Sequence, residues 1–182
     1  YVLSDANKLI LDLRGNPGGF LQSAISISSY FLPTGKIVVT ERFGDERSDQ
    51  VFRSQGKIIQ SFTDDSLVVL VDGGSASASE ILAGALSEHN VATLIGSRTF
   101  GKGSVQELVN LDSGASLKVT IARWLTPNGT SISDGGLTPN LEVPRTTQQI
   151  LDDEDPQLEA AIEYLKGNDI SKYTATSTIS EE

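Results

Sequence analysis

The chain has 182 residues, of which 38% are hydrophobic, and this is enough for one domain with a closed core. Its 24 acidic and 14 basic side chains give a net charge of −10, which repels the phosphates of a nucleic acid. The absence of cysteine excludes disulfide bonds, thiolate chemistry and cysteine-bound metal. No apolar stretch reaches the ~20 residues that cross a bilayer. These counts exclude nucleic acid as a partner and leave the redox compartment open.

The first predicted element is a strand at residues 8–13, KLILDL. It is too continuously apolar for a strand with one solvated face, so we expect both faces to be covered. A strand of this kind so near the first residue indicates that an earlier part of the molecule precedes it. The turn RGNPGG at residues 14–19 follows, and its glycines permit positive φ while Pro17 disfavours helix. We expect some backbone amides of this turn to remain free.

The remaining pattern predicts an α/β fold, with a mixed sheet flanked by helices. Helices are predicted at 20–32, 81–89 and from an Asp155 N-cap onward, and strands at 36–42, 51–54, 66–71, 91–96, 104–111 and 116–124. The strand, helix and strand between 66 and 96 form a βαβ unit. We assign residues 1–166 to the core domain and 167–182 to a polar, flexible tail.

The stretch SASASE, residues 75–80, contains three serines between a predicted strand and a predicted helix. Ser77 and Glu80 have the spacing of a capping box, which predicts a structural role. A serine at a helix N-terminus also lies where backbone amides stabilise negative charge, as a nucleophile requires. Which of the two roles applies depends on whether a general base lies within reach of Ser77. The only histidine, His89, would lie ~18 Å away along the same helix and is assigned no role.

A second candidate site is the segment GSRTFGKGSVQ at residues 96–106. Its first eight residues match the phosphate-binding loop G-x-x-x-x-G-K-[ST] in all but the last place, where Gly103 replaces the magnesium-binding hydroxyl. That loop requires a helix after it. The even spacing of Val105, Val109 and Leu111 predicts a strand instead. Nucleotide binding is therefore the weakest of the hypotheses for this chain.

Lys102 is the alternative base for Ser77. A lysine accepts a proton at neutral pH only when its surroundings disfavour the ammonium form, and burial against an apolar wall has this effect. We expect Phe100 to contribute to such a wall and Gln106 to orient the amine by a hydrogen bond. The alternative is that Lys102 is an exposed loop residue without a catalytic role, since lysine is more often exposed than buried.

Three segments in this order, LILDLRGNPGG, VDGGSASASEILAGAL and GSRTFGKGSVQ, followed by LTPNG and GLTPNLEV, closely resemble the C-terminal processing proteases, also called tail-specific proteases. The resemblance covers residues 8–143. It implies a serine endopeptidase that cleaves proteins near their C-termini. By motif, the nucleophile is Ser77, the base is Lys102 and an orienting glutamine is Gln106.

The resemblance also implies an oxyanion hole made by the backbone amide of Gly18 or Gly19 together with that of Ala78. The implied fold is the mixed α/β core related to crotonase and Clp protease. No cofactor and no metal are expected. We interpret three polar residues as fixing the first turn: Asp12, Arg14 and Asn16.

Two features depart from the family pattern. Members usually carry an upstream PDZ domain and a first part of the protease core, neither of which is visible here, so we expect the activity of this fragment to depend on them. Asn140 stands where an aspartate is common, which we expect to affect only a loop. A non-catalytic module of the same fold that binds an apolar ligand or peptide is the alternative function.

The resemblance further implies partners and a location. The partners are polypeptide substrates with exposed or unfolded C-termini, and assembly into a homo-oligomer stays open. The location is extracytoplasmic, in the bacterial periplasm or cell envelope, with a thylakoid lumen as the second choice.

Overall fold

The computed structural model describes residues 6–44, 47–58, 62–112 and 114–174. The helices are α1 (Leu21–Ser28), α2 (Ala78–Glu88), α3 (Thr147–Leu151) and α4 (Pro156–Lys166). The strands are β1 (Leu9–Asp12), β2 (Ile37–Phe43), β3 (Gln50–Arg53), β4 (Leu67–Val71), β5 (Thr93–Gly96), β6 (Ser104–Asn110), β7 (Ser116–Leu125) and β8 (Leu141–Glu142). The predicted α/β class is confirmed. Within these ranges no helix combines the length and apolar character that a bilayer crossing needs.

The described strands form two sheets of four strands each. One sheet has the order β1-β4-β5-β8 with every pair parallel, and the other has the order β3-β2-β7-β6 with every pair antiparallel. The predicted βαβ unit is confirmed, because β4 and β5 are parallel neighbours joined by α2. The loops that follow β1, β4 and β5 therefore leave the same edge of the parallel sheet, where α/β proteins commonly bind ligands.

Strand β4 separates two apolar cores. All five of its side chains are fully buried. Leu67, Val69 and Val71 contact one core, which includes residues of α1 and α2, while Val68 and Leu70 contact the other, which includes residues of α4. A strand covered on both faces has the continuously apolar sequence expected of a central parallel strand.

Two strands are less buried than their apolar residues suggest, and for β1 this differs from the prediction. Strand β1 packs on both cores, but its apolar residues are only half-buried, because among the described strands it has a single neighbour, β4. In β7, Leu117 and Val119, which alternate with Lys118 and Thr120, are 53% and 36% exposed.

Residues 167–174 belong to the predicted tail, yet Ile170 is buried and Tyr173 packs on the core beside α4. The proposed boundary at residue 166 stays a prediction, and residues 175–182 lie outside the described ranges.

Candidate active site

Ser77 is the N-cap residue of α2, directly after the loop that follows β4. Its backbone has φ 58° and ψ −119°, a combination that glycine adopts readily and serine rarely. The side chain faces the Glu80 amide in the arrangement of a capping box, but the two do not form a well-aligned hydrogen bond. A serine on a sharp turn between a strand and a helix is typical of hydrolase nucleophiles. The position of Ser77 is thus consistent with both predicted roles, helix cap and nucleophile.

Glu80 holds this turn in place. Its side chain is fully buried in the first turn of α2. The Oε2 atom accepts from the amides of Ser77 (2.9 Å) and Lys102 (2.9 Å). The Oε1 atom accepts from the Thr99 hydroxyl (2.5 Å) and the Gly101 amide (2.7 Å). Four donors on one carboxylate offset the desolvation that burial imposes, and they join two loops that are far apart in sequence.

The shared oxygen fixes the separation of the two candidate catalytic residues. Because the amide nitrogens of Ser77 and Lys102 both lie 2.9 Å from Oε2 of Glu80, they are at most about 5.8 Å apart. The structure thus brings together two residues that the sequence places on different motifs. From this backbone position, a lysine side chain is long enough to reach the Ser77 hydroxyl.

The surroundings of the Lys102 side chain differ from the prediction. The residue is exposed, and within the described ranges its amine makes neither a hydrogen bond nor an ion pair. Phe100, expected to form a dry wall, is 67% exposed. The described residues therefore do not supply the predicted apolar surround. Strand β6 begins two residues after Lys102, so the helix that a phosphate-binding loop requires is absent at this point of the described chain.

Among the described residues, Gln106 and His89 make no side-chain hydrogen bond to this pair. Gln106 is exposed on β6, opposite Thr120, just past a register shift in the strand. It makes no hydrogen bond to Lys102 among the described residues. His89 ends α2, and its Nε2 atom lies 2.8 Å from the carbonyl oxygen of Ile37. This agrees with the absence of a predicted role for the histidine.

The glycine turn after β1 packs directly on the Ser77 turn. At Gly18, with φ 91°, an added Cβ would lie 2.9 Å from the Cβ of Ser77 and 2.7 Å from the amide nitrogen of Ala78. Only glycine fits such an approach. The Gly18 amide donates to the Asn16 side chain (2.9 Å). Of the two predicted glycines, Gly19 is therefore the one whose amide makes no hydrogen bond to another described residue.

The amide of Ala78 is the other candidate oxyanion donor. Ala78 is the first residue of α2, and an amide in that position has no acceptor within its own helix. The positive end of the helix dipole adds to its ability to stabilise an anion. Gly19 and Ala78 are thus the two candidates for oxyanion donors.

A cleft of about 240 Å³ opens between this glycine turn, α1 and the start of α2. Its lining is mostly apolar: Leu13, Asn16, Gly18, Gly19, Phe20, Ser23, Ala24, Ile27, Ala78, Ser79 and Leu82. Phe20 at its border is 83% exposed. Since both oxyanion candidates line the cleft, a side chain bound in it would lie beside the Ser77 turn. In the described part of the chain, no cluster of three or more His, Cys, Asp or Glu side chains is arranged to hold a metal ion.

Sequence reasoning missed the joining role of Glu80 and Thr99. The capping-box spacing located Glu80 but explained only its contact with Ser77. A stronger signal was available, since Glu80 is the one charged residue in the stretch ASEILAGAL, which is otherwise apolar or small. Charged residues are rarely fully buried unless they are paired. The Thr99 hydroxyl also accepts from the Leu137 amide (2.7 Å), a contact across distant loops that no local pattern predicts.

Comparisons with known proteins agree with this geometry. Residues 2–143 match the profile of peptidase family S41. A carboxy-terminal-processing protease of Bartonella bacilliformis is 48% identical over 134 residues, which cover 74% of this chain and 30% of the relative. A carboxyl-terminal-processing protease of Synechocystis sp. is 45% identical over 166 residues, which cover 89% and 38%.

Among solved structures, the photosystem II D1 C-terminal processing protease superposes with a TM-score of 0.67 at 37% identity. That match covers 76% of this chain and 35% of the other. The chain thus spans about a third of the length of the relatives it matches. By the extent of the family match and the identity to these relatives, the chain belongs to peptidase family S41, the family of the carboxyl-terminal-processing proteases.

Proposed function

We propose that this chain carries the catalytic site of a serine endopeptidase, with Ser77 as the nucleophile and Lys102 as the general base. One observation carries the proposal: a single carboxylate oxygen of Glu80 accepts from the amides of both residues and keeps them adjacent. The strained backbone of Ser77 supports it further, because strain of this kind is concentrated at functional sites.

In the proposed reaction, the Ser77 hydroxyl attacks the scissile carbonyl carbon while the neutral Lys102 amine accepts its proton. The amides of Gly19 and Ala78 donate to the oxyanion that forms. Lys102 then returns the proton to the leaving amine nitrogen, and an acyl group remains on Ser77. A water molecule activated by Lys102 attacks that ester, releasing a new C-terminal carboxylate and restoring the Ser77 hydroxyl.

The neutral amine requires that water be excluded from Lys102. Since its side chain is exposed in the described structure, the proposal requires that a bound polypeptide cover it. Gln106 is proposed to orient the amine once it is covered. It is four residues farther along, beyond the register shift in β6.

The apolar cleft suggests which substrates fit. A peptide whose carbonyl oxygen lies between the amides of Gly19 and Ala78 would direct the side chain before the cut bond toward Leu13, Ile27 and Leu82. We propose that this cleft selects an apolar side chain at that position. The names of the relatives, carboxyl-terminal-processing proteases, favour substrates that are cut near their C-termini, which requires exposed or unfolded tails.

Substitution of the two catalytic residues tests the proposal. The chain is incubated with unfolded β-casein, and cleavage is followed for wild type, Ser77→Ala, Lys102→Ala and Lys102→Arg. Arginine keeps the positive charge but cannot give up its proton, so all three variants should lose at least about 100-fold in rate. The controls Ser116→Ala and Lys118→Arg, exposed on β7, should cleave at the wild-type rate.

Two results would contradict the proposal. Cleavage by Ser77→Ala at the wild-type rate would show that Ser77 is only a helix cap. Comparable rates for Lys102→Arg and wild type would show that the lysine is needed only for its charge.

The exposed Lys102 amine favours one second candidate, a non-catalytic module of the same fold that binds an apolar peptide in the cleft. Equal affinity of wild type and Ser77→Ala for a hydrophobic peptide, without cleavage by either, would support it.

We further propose an extracytoplasmic location, in the bacterial periplasm or cell envelope. This proposal rests on the family alone and is tested by fractionation of cells that produce the full-length protein.

A further inference from the structure

The side chain of Arg14 joins the glycine turn to helix α4. Its guanidinium contacts Asp12 through Nε (3.0 Å) and Nη2 (2.8 Å). It contacts Asp155 through Nη1 (2.7 Å) and Nη2 (2.8 Å), and Nη1 also donates to Oε1 of Gln157 (3.1 Å). These five contacts match the five N–H donors of arginine. The Arg14 side chain is only 14% exposed, so the arrangement is fixed on every side.

Two of these partners come from beyond the residues that match the family, which end at residue 143. Asp155 is the N-cap of α4, and its Oδ1 atom also accepts from the Leu158 amide (3.0 Å). Gln157, nearly fully buried, donates to the carbonyl oxygen of Val143 (2.9 Å). The start of α4 is thus anchored both to the end of the matched core and to Arg14.

The turn that Arg14 begins is tied to the Ser77 loop by backbone contacts. The Gly15 amide donates to Asp72 (2.8 Å), and the Ala76 amide donates to the carbonyl oxygen of Asn16 (3.0 Å). The Asn16 side chain accepts from Gly18, whose backbone lies against Ser77 and Ala78. A displacement of Arg14 would therefore move Gly19, one of the two proposed oxyanion donors, relative to Ser77.

We propose that Asp155 is a positioning residue, which acts through Arg14 to hold the turn at residues 15–19 in register against Ser77. The proposal rests on the catalytic role proposed above for Ser77. With Asp12 as its only carboxylate, Nη1 of Arg14 would have a neutral partner, Gln157, and no charged one. Asp155 adds a bidentate contact to Nη1 and Nη2. Two parallel hydrogen bonds to one carboxylate fix the orientation of a guanidinium more tightly than a single bond does.

The test uses two substitutions that keep a residue suited to the N-cap. Asp155→Asn removes the charge but keeps one acceptor, and Asp155→Ser keeps a cap but is too short to reach Arg14. Glu159→Gln, in the first turn of the same helix, is the control for loss of a negative charge. Each is compared with wild type for kcat and KM on a peptide substrate and for hydrogen exchange of the amides at residues 15–19, of which Pro17 has none.

We expect kcat to fall about tenfold in Asp155→Ser and less in Asp155→Asn, with KM changed less than about twofold, since a misplaced oxyanion hole weakens the transition state. The amides at 15–19 should exchange faster, while those of β4 and α2 stay at the wild-type rate. In an Arg14→Gln background, Asp155→Ser should cause no further loss, because it acts only through Arg14. Glu159→Gln should match wild type throughout.

Unchanged exchange at residues 15–19 would overturn the proposal, as would faster exchange with unchanged kcat. A uniform rise in exchange across β4 and α2 would also overturn it, because Asp155 would then stabilise the whole fold rather than this turn. If wild type itself cleaves nothing, the catalytic proposal has failed, and exchange at 15–19 alone decides whether Asp155 holds the turn.

Discussion

Ser77 adopts a backbone conformation that costs a serine about 1–3 kcal/mol and must be held by its surroundings. The restraint comes from three directions. Glu80 accepts from the Ser77 amide, Gly18 packs against its Cβ, and the Ala76 amide before it is bound by Asn16. The strain therefore has a structural cause that can be tested separately from catalysis.

Replacing Ser77 with glycine or alanine tests whether the Ser77 turn disfavours a side chain. Glycine accepts positive φ without penalty and loses little as an N-cap, whereas alanine keeps the strain and is a poor N-cap. Both variants should lose peptidase activity. By urea unfolding, Ser77→Gly should be more stable than Ser77→Ala by about 1 kcal/mol. The opposite order would show that the turn does not resist a side chain.

Glu80→Gln tests the joining carboxylate. An amide keeps one acceptor oxygen but presents an NH2 group to the other pair of donors, either Ser77 and Lys102 or Thr99 and Gly101. At least one buried donor pair then lacks an acceptor. We expect a loss of at least about 2 kcal/mol in the free energy of unfolding, measured in urea.

Glu107→Gln, exposed on β6, is the matched control and should leave the free energy of unfolding unchanged. Equal stability of Glu80→Gln and wild type would contradict the role of the carboxylate as the link between the two loops.

At the scale of elements, the sequence predicts what depends on local pattern. Strand β4 is identified by its apolar run, and α4 by Asp155 and Pro156, which the structure confirms as the N-cap and the first helical residue. The short elements α3, with five residues, and β8, with two, are not predicted, because so few residues show no detectable hydrophobic periodicity.

What local pattern misses are contacts between distant segments. Asn140, expected to affect only a loop, accepts from the Leu94 amide (2.8 Å) and the Ser87 hydroxyl (3.1 Å), and so ties β5 to α2. Arg14 was interpreted only as a residue that fixes its own turn, although its strongest partners include Asp155. The resemblance located Ser77 and Lys102 as candidates, but the carboxylate that holds them together is visible only in three dimensions.

In the whole molecule, the parallel sheet separates the site from the helix proposed to support it. The cleft and α2 lie against one core, and α4 packs on the other. Arg14 lies just after the end of β1, at the edge of the sheet, where its guanidinium contacts Asp155 at the start of α4. Arg14 is attached to α4 by an ion pair with Asp155, whereas the rest of α4 packs through apolar side chains. The stability that this ion pair contributes should therefore depend on pH.

The stability that α4 contributes through Arg14 should be lost in acid. Hydrogen bonds from Arg14 lower the pKa of Asp12 below its ordinary 3.8. Burial alone would raise the pKa of Asp155, but hydrogen bonds from Arg14 and the Leu158 amide outweigh it, and the net shift is downward. A carboxyl with a lowered pKa in the folded state stabilises the fold above its unfolded pKa, and this contribution disappears as pH falls through the folded value.

The prediction is a stability difference between wild type and Asp155→Asn that is constant from pH 7 to about pH 5 and shrinks below about pH 4, the range in which aspartates titrate. Urea midpoints of both proteins at pH 7, 5, 4 and 3 measure it. Other carboxylates with lowered pKa, such as Glu163 and Asp169, are present in both proteins and cancel in the difference. A gap at pH 3 as large as at pH 7 would show that Asp155 stabilises α4 as a cap alone, without its charge on Arg14.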